Sequence, residues 1–339
     1  MDSVTQIALG AAVGESVLGR QVGRRALLWG GICGLFPDLD ILVPYTNAVK
    51  AFTYHRGPSH SLFVLTALTP LFVWIINKAH PNTTTYRRRW YGLVFLVFVT
   101  HILLDGLTVY GTQILWPIPT PPVMWSTIFI IDPLYSIPLF FGVLAALIAA
   151  RHRRWGHRAN GICLALSTLY LAWSIGAELY VTRVARTSFD QQGIGYEKML
   201  VTPAPFNTLL WRILAMNDTG YFEGYYSLLD ETEQVEVEHY PSQPELLSDI
   251  DQQWAVQRLQ WFTHGFYSVQ QQGVDIVIAD LRMGMEPFYV FRFKVGKARG
   301  DRVQAVKPDR VRGQAGWDRL GWVWKRIWSE PIQKERAKE

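Results

Sequence analysis

The sequence is poor in cysteine and in charge, and both shortages narrow what the chain can do. Cys33 and Cys163 are the two cysteines in 339 residues; both lie within apolar runs, at no spacing that suits a thiolate metal site or a disulfide framework. Charged residues make up 18% of the chain against 49% apolar. No Walker loop, strand–GxGxxG–helix fingerprint or GxSxG elbow occurs, which argues against phosphate cradling by a glycine-rich loop and against a nucleophile-elbow serine. Residues 106–127 hold no Lys or Arg. Met1-Asp2-Ser3-Val4-Thr5-Gln6 lacks a basic n-region and a small-residue cleavage site, so no cleaved signal peptide is expected.

What is present divides the chain in two. Residues 1–182 carry 13 Lys/Arg and 7 Asp/Glu together with nearly all the long apolar runs. Residues 183–339 carry the remaining 20 basic and 21 acidic residues in the mixed polarity of a soluble fold. The expected fold class is an α-helical polytopic membrane bundle (1–182) followed by a smaller α+β soluble, extramembrane domain (183–339). Helices are expected over 4–19, 26–44, 61–77, 90–104, 128–150 and 159–181. Gly10 and Gly14 in the first have the GxxxG spacing that lets another helix approach closely. Basic clusters at Arg20/Arg24/Arg25, at Lys78 with Arg87, Arg88 and Arg89, and over 151–158 mark cytoplasmic ends by the positive-inside rule. The pI near 9.1 therefore reflects topology, and no nucleic-acid partner is expected.

Tracing each helix from those anchors puts Asp38/Asp40, His55/His60, His101/Asp105 and Asp132 at the opposite, outer ends. Taken singly, each has a plain explanation. His101 and Asp105, at i and i+4, can form a hydrogen-bonded core pair. Asp38 and Asp40 can cap a helix and close a turn, Asp132 can cap the helix that follows it, and His55 and His60 can line an interfacial loop. Taken together they gather imidazoles and carboxylates at one membrane face, which suits one or two divalent cations. The expected metal ligands are Asp38, Asp40, His55, His60, His101 and Asp105, with zinc first and manganese or magnesium as alternatives. Metal-activated hydrolysis is the chemistry such a set supports. An unliganded Asp40 or Asp132 would serve as general base, and Arg56 would hold a phosphate or pair with an Asp. Glu178 is read as structural.

In the second half a helix is expected over 246–262. Alternating strands over 274–280 and 289–295 read as a hairpin through Met283-Gly284-Met285-Glu286, with weaker strands at 220–229 and 235–240. Trp317, Leu320, Trp324, Ile327 and Trp328 share one helical face beside Arg319, Lys325 and Arg326. This amphipathic tail either lies in lipid headgroups or packs as a Trp-rich edge on the soluble domain.

Met1-Asp2-Ser3-Val4-Thr5-Gln6, Pro37-Asp38-Leu39-Asp40, His55-Arg56-Gly57-Pro58-Ser59-His60-Ser61, His101-Ile102-Leu103-Leu104-Asp105 with Thr108-Val109-Tyr110-Gly111, and Ile131-Asp132-Pro133 resemble the membrane-bound metal-dependent hydrolase family of bacterial inner membranes. The resemblance covers about residues 1–180; Trp261 to Tyr267 and Asp280-Leu281-Arg282 look like the extension of its longer members. Some members carry His where this chain has Gln6, which leaves Gln6 outside the expected ligand set. A remoter likeness to the helical zinc phospholipase C and nuclease group favours phosphoester substrates. The resemblance implies a multi-pass bacterial inner-membrane hydrolase. With the site at the outer interface, a lipid or lipid-linked phosphoester is the expected substrate. A metal-ion or proton transporter using the same ligands, or a non-catalytic membrane scaffold, is the alternative.

Overall fold

α1 (Ser3–Val22) runs through the middle of the helical region, packed on α2 (Arg24–Leu35), α5 (Arg87–Gly106), α6 (Pro133–Ala149) and α7 (Arg154–Gln192). Its small residues permit this. A Cβ on Gly10 would run into the Gly30 carbonyl oxygen, and one on Gly30 into the Gly10 carbonyl oxygen, so the two backbones touch where only glycine fits. Asp2 caps α1 by accepting from Thr5 N at 2.9 Å. The structure is a computed structural model that describes residues 1–149, 154–311 and 320–329. Arg151, His152 and Arg153 of the third basic cluster, with Trp317 and Arg319 of the tail, lie outside the described residues.

The apolar run expected as one helix over 26–44 changes character part-way. Pro37 lacks an N–H to continue the α-ladder, and the chain tightens into a 3-10 turn over Phe36–Leu42 that carries Asp38 and Asp40. A short α3 (Ala48–Tyr54) leads to the 3-10 turn Pro58–His60 and then to α4 (Leu62–Ala79), capped by Ser61. Leu62–Ala79, Pro81–Gly106 and Arg154–Gln192 are the described helices long and apolar enough to cross a membrane. Basic ends gather on one side: Arg24 Nη2 donates to Leu147 O at 2.8 Å, and His157 lies 3.5 Å from Glu15. At the far ends, Asp2 N donates to Ile130 O at 3.0 Å.

α7 departs furthest from expectation. At 39 residues and ~1.5 Å per residue it is roughly 58 Å long, nearly twice a ~30 Å hydrocarbon core. It continues past residue 181, where the expected helix ends. A second apolar stripe of Val181, Val184, Ala185 and Phe189 continues it onto the first β-sheet. That sheet is antiparallel in the order β1 (Lys198–Pro203), β2 (Leu210–Asn217), β3 (Gly220–Ser227), β4 (Val237–Pro241).

The helix expected over 246–262 is confined to α8 (Trp254–Phe262), preceded by a 3-10 turn at Pro244–Leu247. Ser248, Asp249 and Asp251 between them favour turns over helix. The second sheet runs β5 (Tyr267–Gln272), β6 (Asp275–Asp280), β9 (Arg292–Arg299) and β10 (Arg302–Arg310) in the order β10-β9-β6-β5. The hairpin expected between 274 and 295 is elaborated by a small ribbon, β7 (Gly284–Met285) with β8 (Phe288–Tyr289), inserted between the paired strands β6 and β9. α3 plugs this domain onto the helices. Phe52 packs against the rings of Phe262 (4.8 Å), Phe291 (4.4 Å), Phe293 (5.2 Å) and Tyr110 (5.3 Å). The tail helix α9 (Leu320–Trp328) buries Val323 and Ile327 beside Ala204 and Leu210, and its Arg326 reaches Asp230 at 2.6 Å. Trp324 and Trp328 face outward.

Candidate metal centre

Asp38, His60, His101 and Asp105 meet at the end of the helices opposite the basic clusters, all buried, each offering a ligand atom within 4.8 Å of the others. Three separate elements deliver them: the 3-10 turn after α2, the 3-10 turn before α4, and the last turns of α5. His60 Nε2 lies 3.1 Å from Asp105 Oδ2 and 3.5 Å from Asp38 Oδ1. His101 Nε2 lies 3.6 Å from each of those oxygens and 3.2 Å from His60 Nε2. Tetrahedral zinc, with bonds of ~2.0–2.2 Å, sets its donor atoms roughly 3.3–3.6 Å apart. The donor spacings therefore fit a small divalent cation.

The hydrogen bonds behind the rings say which nitrogen is free. His101 Nδ1 lies 2.8 Å from the carbonyl oxygen of Gly34, an acceptor, so Nδ1 carries the proton and the Nε2 lone pair faces the cluster. Ser59 Oγ donates to Asp40 Oδ2 at 2.6 Å and so accepts from His60 Nδ1 at 2.9 Å, which turns the His60 Nε2 inward in the same way. Two imidazole lone pairs and two carboxylates thus converge, and Asp105 Oδ2 has no hydrogen-bond partner. Such a pocket attracts a cation. Burial opposes a proton on His60, but the carboxylates of Asp105, Asp38 and Asp40 outweigh it and hold its pKa above the ordinary value. Either that proton or a metal ion in its place balances the site.

Asp40 and His55, also expected as ligands, lie one layer out. His55 Nδ1 bonds Asp40 Oδ1 at 2.7 Å, and Asp40 Oδ2 also accepts from Arg56 N at 3.0 Å. Burial works against the Asp40 charge, yet the His55 bond, the two imidazoles and Ser59 bring its pKa down to about 2. Arg56 is buried with φ +59°, a left-handed backbone costly for a side chain of its size. Its Nε lies 3.3 Å from Asp105 Oδ2 and its Nη1 donates to Thr108 Oγ1 at 2.9 Å. Asp132 is committed elsewhere. It accepts from Leu134 N (2.9 Å) and Tyr135 N (3.2 Å) at the start of α6, and from Tyr170 OH (2.9 Å) of α7.

Several contributors lie outside the expected ligand set, although the Met1 to Gln6 stretch is part of the resemblance. Ser3 Oγ donates to Asp38 Oδ2 at 2.9 Å, Gln6 Nε2 to Asp105 Oδ1 at 3.1 Å, and the Met1 amine contacts Asp105 Oδ1. All belong to the start of α1, whose insertion between other helices is a tertiary event.

No curated protein and no solved structure matches the chain. A family model does: that of the YdjM inner membrane protein matches residues 1–181, which takes in every residue of the cluster. With more than half of its 339 residues matched and three helices apolar enough to span, the chain belongs to the YdjM inner membrane protein family and resides in a bacterial inner membrane.

Proposed function

We propose that the chain is a polytopic, membrane-embedded, metal-dependent hydrolase acting at the outer interface on a lipid or lipid-linked phosphoester. One observation carries this reading: His60 and His101 turn their Nε2 lone pairs toward each other and toward Asp38 and Asp105 at spacings that suit a divalent cation. Asp38, His60, His101 and Asp105 would hold the ion, and two imidazoles in the set favour zinc over magnesium. When bound, such an ion polarises a phosphoryl or carbonyl oxygen and lowers the pKa of a water molecule.

The remaining roles belong to the chain. Asp40, through Ser59, keeps the His60 ring in its ligating tautomer. Asp40 also holds His55, whose side chain is 25% exposed, so His55 is the imidazole placed to pass protons between the pocket and solvent. Arg56, engaged by Asp105 and Thr108, positions the Asp105 carboxylate. Asp132 ties α6 to α7 rather than acting as base. A transport pathway would need ionisable groups through the depth of the helices. Between Gln6 and Glu15 the buried residues of α1 are Ala8, Leu9, Gly10, Ala11, Ala12, Val13 and Gly14, and none is ionisable.

The test compares purified wild-type protein with His60→Ala and His101→Ala variants, by elemental analysis and by a screen of phospholipid and lipid-phosphate hydrolysis. About one equivalent of metal, lost in both variants together with turnover, is the expected result. Unchanged metal content in folded variants, or metal-dependent ion flux in liposomes without hydrolysis, overturns it.

A further inference from the structure

α9 is fastened to the β-domain by one face. Val323 and Ile327 are buried beside Ala204 and Leu210, and Ser227 Oγ donates to Ile327 O at 2.8 Å. Arg326 forks onto Asp230, with Nη1 to Oδ1 at 2.7 Å and Nη2 to Oδ2 at 2.6 Å. The opposite face carries Trp322, Trp324 and Trp328, 41%, 64% and 63% exposed, with Lys325 exposed among them. Trp324 and Trp328 meet edge to face at 6.0 Å. Large apolar rings turned outward in so short a stretch mark a contact surface, and indole, apolar with one N–H, suits the boundary between lipid and water.

The depth of α9 follows from what it packs on. Ala204, Leu209 and Leu210 flank the connection from β1 to β2. In that connection Thr208 Oγ1 accepts from Trp173 Nε1 at 3.2 Å and lies 3.0 Å from Tyr170 OH, both on α7. Tyr170 in turn bonds Asp132 at the start of α6. Residues 159–177 of α7 hold no charged side chain, roughly 28 Å of helix at ~1.5 Å per residue, against a ~30 Å hydrocarbon core. Trp173 lies about one turn inside the end of that run, the depth at which Trp collects in spanning proteins. α9 therefore sits at the membrane-side end of the first sheet, level with the exposed rings of Trp173 and Phe206.

We propose that α9 is an interfacial anchor: its Trp322, Trp324 and Trp328 face lies in the headgroup layer of the membrane that the helices span, and ties the β-domain down to it. The membrane is the occupant already present at that depth, since the same boundary holds Trp173. Lys325 supplies a cation for lipid phosphate, as in other amphipathic helices that lie along a bilayer. α7 and Phe52 join the β-domain to the helices within the protein, and α9 adds an attachment through lipid. Anchoring of this kind is independent of any chemistry at the metal centre.

The experiment is spin-label accessibility in the full-length protein, in nanodiscs of phosphatidylethanolamine and phosphatidylglycerol. Nitroxides are attached one at a time through Trp324→Cys and Trp328→Cys in a Cys33→Ala, Cys163→Ala background. The reference is Asp218→Cys, exposed in the turn between β2 and β3, about 25 Å along the strands from Leu210. At positions 324 and 328, collisions with oxygen, which dissolves in lipid, are expected to rise several-fold over position 218. Collisions with a water-soluble nickel chelate are expected to fall several-fold. Nickel access equal to that at 218 leaves the face in water and overturns the anchor. Shielding from both oxygen and nickel puts a protein surface on the face, a second copy or another chain, and overturns it as well. 5-Fluorotryptophan gives a check with the native cysteines in place. The ¹⁹F signals lost in Trp324→Phe and Trp328→Phe are expected to broaden more with a nitroxide-headgroup lipid than with a soluble gadolinium chelate, and the reverse order overturns the anchor.

Discussion

His60 and His101 present their Nε2 atoms to each other at 3.2 Å across 41 residues of sequence. Two neutral rings held this way repel unless something positive lies between them. Backbone and side-chain acceptors on the far nitrogens, Gly34 O for His101 and Ser59 Oγ for His60, prevent either ring from relaxing by changing tautomer. The relationship is therefore built in by the surrounding turns, and it can be probed from behind as well as in front.

From behind, Asp40→Asn and Ser59→Ala leave all four ligands in place but release the His60 ring. Metal affinity is expected to fall by about 10–100-fold with stoichiometry preserved at saturating metal. A chelator-competition titration reads this. Equal affinities would mean that Asp40 and Ser59 have no hold on the ring.

Protons compete with metal at His60. Burial opposes its proton, but the surrounding carboxylates outweigh it and raise its pKa in the folded protein, so a metal held by this ring is expected to be displaced by protons as pH falls. Affinity should drop by about tenfold per pH unit on the acid side for each proton displaced, and level off on the alkaline side. A flat profile from pH 5 to 8 would remove His60 from the ligand set.

Phe52 is the plug between the two halves. Phe52→Ala removes a ring packed against four aromatic neighbours and is expected to cost about 3–5 kcal/mol. Chemical denaturation followed by tryptophan fluorescence measures it. A change under 1 kcal/mol would show that the aromatic cluster does not hold the β-domain in place.

Gly10→Val drives a branched side chain into the Gly30 backbone. Overpacking of this kind costs about 1–3 kcal/mol or more. Because Gln6 and Ser3 ride on the same helix and bond Asp105 and Asp38, metal content should fall together with thermal stability. Full metal content in a destabilised variant would separate α1 packing from the site.

Much of the helical region was legible in the sequence. Apolar runs the length of α4, α5 and α7 announce themselves by composition, and the GxxxG spacing in α1 anticipated the contact with α2. The β-domain was read less well. The sequence marks β3, β4, β6 and part of β9, but it gives no sign of β1, β2, β5 or β10, extends α8 back to 246 and does not show the β7–β8 ribbon, because short strands and turns depend on partners remote in the chain.

For the site, residue types and their common end of the helices follow from the sequence alone, since hydropathy and charge order are local properties written along the chain. Which groups touch is a different matter. Asp38 and Asp40 are indistinguishable by motif. A 3-10 turn sends Asp38 into the cluster and Asp40 to Ser59 and His55, and no propensity rule separates carboxylates two residues apart. The insertion of α1 beside Asp105 likewise arises from packing between distant segments. Contacts of that kind cost chain entropy that only the finished tertiary structure repays, so they exist in the fold and nowhere in the local sequence.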